Sequence, residues 1–175
     1  MIQIATKLAI ANGFSKLTAR SVADVLDSST QPIYKQFKNM DDLREHVLEN
    51  LWYRTVDNCY VNIEKYKNDD IYIHFTVELI KYYIKNPSIY KCCWTDEKGK
   101  PDYIFSLSEF LYLDSLFNSI KFNRLTQIEK KDLHFKIILT IHGIVPICNL
   151  EGANFYDGQL EYWVRNMIAN FFKKE

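Results

Sequence analysis

Five polar side chains stand on one side of a short segment near the N-terminus: Thr30, Gln31, Tyr34, Lys35 and Lys38. The other side of that segment is Ile33 and Phe37, an i, i+4 pair that shares one face of a helix. A hydroxyl, an amide, a phenol and two amines projecting together suit the reading of base edges and the holding of phosphates. A helix face that is merely solvated has the same composition, so the face alone does not separate the two readings.

Other candidate chemistry is thin. The sequence contains no GxSxG, GxxxxGK or HExxH pattern. The carboxylate pairs Asp41–Asp42 and Asp69–Asp70 fall at helix starts, where the helix dipole accounts for them. His46, His74, His134 and His142 are scattered. The last two project about 80° apart around a helix, which is poor for a shared metal. Cys59, Cys92, Cys93 and Cys148 lack CxxC or metal-ligand spacing. They read as reduced, mostly buried residues, with a redox-sensing pair at Cys92–Cys93 as the alternative. The expectation is a protein that is not an enzyme, with no metal and no cofactor.

The chain balances 22 basic against 22 acidic residues, but unevenly. Residues 1–40 hold five Lys or Arg and two Asp, a net +3, which leaves −3 for the remainder. A locally basic N-terminus suits a polyanion, while overall neutrality argues against a histone-like binder that relies on charge alone. At 175 residues the chain is long enough to bury a core without a disulfide or a metal. No basic stretch followed by an apolar one opens it, so no signal peptide is read. The longest apolar run, Ile137 to Cys148, is interrupted by Thr140, His142, Gly143 and Pro146 and is too short to span a bilayer. A cytoplasmic protein without a membrane partner is expected.

These residues must be positioned by helices. Only 5 Gly and 4 Pro occur, and alternating apolar runs are few, which predicts an all-α chain. A first helix covers about 2–12, with Ile2, Ala5, Leu8 and Ala9 on one face. Gly13 closes it in the left-handed conformation, and Phe14 turns into the core. A second helix covers about 19–26, with Thr18 as N-cap and Val22, Ala23 and Leu26 inward. A third starts after Ser28 or Ser29 and ends near Phe37. Either serine can cap it, and Ser28 with Gln31 fits a capping box. Pro32 lies in its first turn, where a missing N–H costs nothing. A fourth opens at Asn39 and runs to about Lys65. Further helices are expected near 71–86, 88–94, 102–120, 126–148 and 157–173, with loops at 96–102 and 149–158.

Residues 1–46 resemble the DNA-binding domain of TetR-type transcriptional regulators. The likeness is carried by Ala5 and Leu8, Gly13-Phe14, Thr18, Val22-Ala23, Ser29, Ile33-Tyr34, Phe37, Lys38 and Leu43, with no gap from Gly13 to Leu43. Further along, only Ile141-His142-Gly143-Ile144 is similar, to a His-Gly step in the dimer-forming helix of some members. Three departures stand out. Asp27 occupies a position usually held by Gly, and Pro32 one often held by Thr. The chain also opens at the first helix, where many members carry a basic arm.

The resemblance implies a helix-turn-helix DNA-binding domain over 1–46 and a helical ligand-binding and dimerisation domain over 47–175. It implies a homodimeric repressor on a near-palindromic double-stranded operator, with recognition helices in successive major grooves about 34–36 Å apart. By position, Thr18, Tyr34 and Lys38 match phosphate contacts, while Thr30, Gln31 and Lys35 fall where bases are read. Gln can bond adenine and Lys can reach guanine. Tyr34 could equally close the small core with Phe37.

The resemblance also implies a small-molecule inducer, whose identity the sequence leaves open. Of the 26 aromatic residues, 23 follow residue 47, which suits an apolar or aromatic ligand. Trp52, Tyr60, Phe75, Tyr82, Tyr83, Trp94, Phe110 and Phe117 are the pocket candidates, and plain core packing explains each of them as well. A dimer interface is expected from the 126–148 helix and the last helix as a four-helix bundle. His142, Gly143, Leu160, Trp163, Val164, Met167 and Phe171 are its candidates. A second functional class stays open, in which a TetR-like fold acts through protein–protein contacts without sequence-specific DNA binding.

Overall fold

The computed structural model describes residues 1–63, 71–96, 125–151 and 157–172, with the backbone only at 151, 157, 171 and 172. Among these residues there are eight α-helices and no strand. They are α1 (Ile2–Asn12), α2 (Ala19–Val25), α3 (Gln31–Gln36), α4 (Met40–Ile63), α5 (Ile71–Lys85), α6 (Pro87–Tyr90), α7 (Gln127–Glu151) and α8 (Asp157–Phe172). The expected helix over 102–120, with Phe110 and Phe117, lies outside the described residues. So do 97–102 and 152–156.

The chain forms two compact units. One is Met1–Thr55 with Asn86–Leu107, and the other is Val56–Lys85 with Ser108–Glu175. The unit holding the first three helices therefore extends past residue 46, and α4 runs through that position unbroken.

In the first unit, Ala5, Ala9, Phe14, Leu17, Val22, Ile33, Phe37, Leu43 and Val47 are all buried. The polar ends of its helices are closed locally. Thr18 Oγ1 accepts the Ser21 N–H, and Ser21 Oγ accepts the Thr18 N–H, each at 3.0 Å, a reciprocal cap for α2. At the other end of α2 the Ser28 N–H donates to Ala23 O at 3.0 Å, and Asp27 takes φ 48. This is a Schellman closure with aspartate in the left-handed position, which a short polar side chain tolerates.

Two local expectations need correction. Gly13 has a positive φ of 78, but its ψ of 164 lies outside the left-handed helical region. That combination is open essentially only to glycine. The cap of α3 is not a serine: Thr30 holds the N-cap position without a side-chain cap bond, and the Ser28 hydroxyl donates to Ser29 O instead. The Ser28–Gln31 box is not made, because α3 starts two residues later than that box requires. Asn39 does open α4, with its Oδ1 accepting the Asp42 N–H at 2.9 Å. Asp42 Oδ2 in turn accepts the Lys38 N–H at 2.8 Å.

The segment expected as one helix over 88–94 is the short α6 continued by a single π-helical turn, Lys91–Thr95, closed by the Asp96 N–H on Lys91 O. The wider turn turns Cys92, Cys93 and Trp94, three successive residues, to the buried side.

In the second unit α5 packs on α7 and α8, and α7 packs on α8. Leu133, Ile137, Ile141, Val145 and Cys148 give α7 its inner face, and Leu160, Val164 and Ile168 give α8 its own. Fully burying a side chain of this size stabilises by about 1.5–3 kcal/mol. By length and composition Gln127–Leu150 would suffice to cross a membrane. Its first half carries Glu129, Lys130, Lys131, Asp132 and Lys136, and its inner face is a core face.

Candidate nucleic-acid interface

α3 is held to the first unit by Ile33 and Phe37, which are 1% and 3% exposed. At about 100° per residue, Gln31 and Lys35 form the column that points directly away from Ile33. Tyr34 flanks that column on one side, Pro32 and Gln36 on the other, and Lys38 follows the helix end, beyond the extended Phe37. All six are exposed. Thr30 is half-buried at the head of the helix. No acidic residue occurs from Ser28 to Lys38, although the Asp42 carboxylate lies on the Lys38 N–H at 2.8 Å. Tyr34 does not close the core: it is 55% exposed.

Thr18 is exposed, and its Oγ1 is used as an acceptor by the Ser21 N–H. Its hydroxyl proton is left to donate, which a phosphate oxygen can accept. Arg20, exposed at the second position of α2, adds a cation that the spacing of α3 gave no reason to single out. The Asn39–Asp42 closure fixes the backbone of Lys38, so the last amine of the face is anchored at its root.

The far end of α1 is tied to the π turn. Asp96 Oδ2 accepts the Phe14 N–H at 3.0 Å, and Cys92 Sγ donates to Ala9 O at 3.2 Å. A cleft of about 240 Å³ lies beside these bonds, with Asn12, Ser15, Ser88 and Lys91 in its lining. The sequence reading placed Asp96 in a solvated loop, and no local pattern marks it as a partner of Phe14.

No protein-family model matches the chain. A comparison with curated proteins gives no match either. Among solved structures, the crystal structure of multidrug binding protein EbrR complexed with imidazole aligns with a TM-score of 0.65 at 12% identity, covering 95% of this chain and 86% of that chain. This chain has a TetR-like fold.

Within the TetR-like fold, the described aromatic candidates gather in pairs. In the first unit Trp52 and Trp94 meet edge to face, with centroids 6.4 Å apart. In the second, Tyr60 and Phe75 lie at 5.4 Å and Tyr82 and Tyr83 at 6.2 Å. Trp52, Phe75, Tyr83 and Trp94 are buried, while Tyr60 and Tyr82 are partly open. Trp52 Nε1 is buried with no hydrogen-bond partner among the described residues.

The interface candidates divide in the same way. Leu160 and Val164 close the core of their own unit, at 2% and 0% exposure, so a second copy cannot reach their side chains. Gly143 and Trp163 are exposed, and His142 and Met167 are half-buried. The side chain of Phe171 lies outside the described residues. Other apolar residues that face outward were not singled out from the sequence. They are Ile128, Phe135, Leu139, Ile147 and Leu150 on α7 and Tyr162 on α8. Phe135, Leu139, Gly143, Ile147 and Leu150 recur at i, i+4, i+8, i+12 and i+15, one stripe along α7. The apolar alternation of α7 runs nearly all round the helix, so spacing alone could not tell the core side from the outer side.

All four cysteines are buried. Burial pushes the Cys59 thiol up to about 12, with Glu78 adding to the shift, and the Cys92 thiol up to about 11. Thiols so raised are poor nucleophiles.

Proposed function

We propose that this protein is a ligand-responsive transcription regulator of TetR type that represses by binding a near-palindromic operator as a homodimer. The observation that carries this reading is the outer face of α3. Gln31, Tyr34 and Lys35 are exposed together on a helix anchored by Ile33 and Phe37, and the exposed Lys38 follows directly at its end. The two-unit TetR-like fold supports it. Thr30, Gln31 and Lys35 would meet base edges, while Thr18, Tyr34, Lys38 and Arg20 would meet phosphates.

The dimer surface would be the exposed stripe of α7 with Tyr162 and Trp163 of α8, since contiguous apolar surface of this kind marks association sites. Gly143 fits there: a Cβ at this position meets nothing within 4 Å, so a partner backbone can approach. The inducer would be a small apolar or aromatic molecule. It would act by binding one dimer conformation better than the DNA-compatible one, because a ligand shifts an equilibrium only through differential affinity. No catalytic role and no further cofactor are proposed.

The test is a gel shift with DNA flanking the protein's own gene, across a series of salt concentrations. Binding should weaken as salt rises, with a log–log slope set by the number of phosphates contacted. A chain that shifts no DNA even at low salt would leave the protein–protein class in its place.

A further inference from the structure

Pro32 occupies the second position of α3 with its ring exposed, beside the Gln31–Lys35 column. The backbone around it has little to offer a phosphate. Proline has no N–H, and the N–H groups of Ile33 and Tyr34 both donate to Thr30 O, at 3.1 and 3.4 Å. The first turn of α3 therefore meets its surroundings chiefly through the Thr30 hydroxyl, the Gln31 amide and the Pro32 ring. Only the last of these is apolar.

The major-groove edges of the bases present hydrogen-bond donors, acceptors and one methyl group, the C5-methyl of thymine. A pyrrolidine ring pressed on a donor or acceptor strips its water and gives nothing back, which is costly. Pressed on a methyl, it removes apolar area from both partners.

We propose that Pro32 is a specificity-determining residue that selects thymine through its C5-methyl at one position in each operator half-site. This rests on the DNA reading proposed above. It adds an apolar contact to the polar readout of Thr30, Gln31 and Lys35.

The experiment selects duplexes bound by the full chain from a random pool. Each thymine of the selected half-site is then replaced by uracil, which keeps the O4 acceptor and loses only the methyl. At one position per half-site, uracil should weaken binding about fourfold, the effect of burying one methyl, and about fifteenfold with both half-sites changed. Pro32→Ser, with its melting temperature checked, should bind the thymine and uracil duplexes equally while keeping the same salt slope. Uracil tolerated at every position overturns the proposal, as does a Pro32→Ser protein that retains the preference for thymine. Either result leaves DNA binding itself standing. A pool in which no sequence is enriched overturns both readings.

Discussion

Asp96 and Phe14 are joined by a 3.0 Å hydrogen bond from the Phe14 N–H to the Asp96 carboxylate, across 82 residues of sequence. The bond closes the far end of α1 at the point where the chain turns through Gly13. Asp96→Ala leaves that amide without its acceptor in a half-buried site. A loss of about 1–2 kcal/mol in unfolding free energy is expected from denaturant titration. Asp96→Asn, which keeps an acceptor oxygen, should recover part of it.

Gly13 and Gly143 should respond in opposite directions to alanine. At Gly13 the φ of 78 is unfavourable for any side chain, and a Cβ would stand 3.2 Å from Asp96 Oδ2. Gly13→Ala should cost about 1–3 kcal/mol. Gly143 lies inside α7 with open space around it. Gly143→Ala should raise the stability of a protomer by up to about 1 kcal/mol. If the α7 stripe seats a second copy, the same change should weaken the dimer. Thermal melts and sedimentation on one pair of variants separate the two effects.

Leu139, on the stripe, is 54% exposed, whereas Val164, on the core face of α8, is fully buried. Leu139→Glu should yield a folded monomer, since a charge in a dimer seam is expensive and on an open surface is not. Val164→Ala should lower the melting temperature through a core cavity worth on the order of 2 kcal/mol. A dimer that survives Leu139→Glu at micromolar concentration would remove this face from the proposed assembly.

Two substitutions, one on α3 and one just past its end, should part phosphate holding from base reading. Lys38→Ala should weaken binding to all sequences alike and reduce the salt slope by about 1. Gln31→Ala should cost about 1–3 kcal/mol on the preferred duplex and relax the choice of base at one position. Competition gels with matched and scrambled duplexes measure both. Equal losses on both duplexes for Gln31→Ala would place its amide away from the base edges.

Burial of His142 lowers its pKa from the ordinary 6.5. The folded state thus takes up this proton less readily than the unfolded chain. Above pH 6.5 both states hold the neutral ring, and the site contributes its full stability. As the pH falls below that value, the unfolded chain is protonated first and stability declines. Unfolding midpoints between pH 7 and 5 should fall more for the unaltered chain than for His142→Gln. Parallel curves for the two proteins would show that His142 does not titrate with unfolding.

Much of the first unit could be read from residue order. The i, i+4 pair Ile33 and Phe37 oriented α3, and Thr18 and Asn39 marked the starts of α2 and α4, because capping and facial periodicity are local. Asp27 in the left-handed position was foreshadowed only by the resemblance, which usually has glycine there. What escaped was non-local or two-sided. Asp96 meets Phe14 through tertiary proximity, which has no signature in either neighbourhood. Leu160 and Val164 belonged to an apolar stripe wide enough to face either the core or a partner, and only packing against α5 decided it. The Ser28–Gln31 box failed by a two-residue shift, the usual margin of error for a helix boundary.

The burial of every cysteine turns the thiols into internal gauges of opening. A sulfur that is shielded and held protonated reacts only when its surroundings part, so its rate of labelling measures how often that happens. Cys92 sits in one unit, and Cys59 and Cys148 in the other. The chain carries, without any engineering, a separate clock for the breathing of each half.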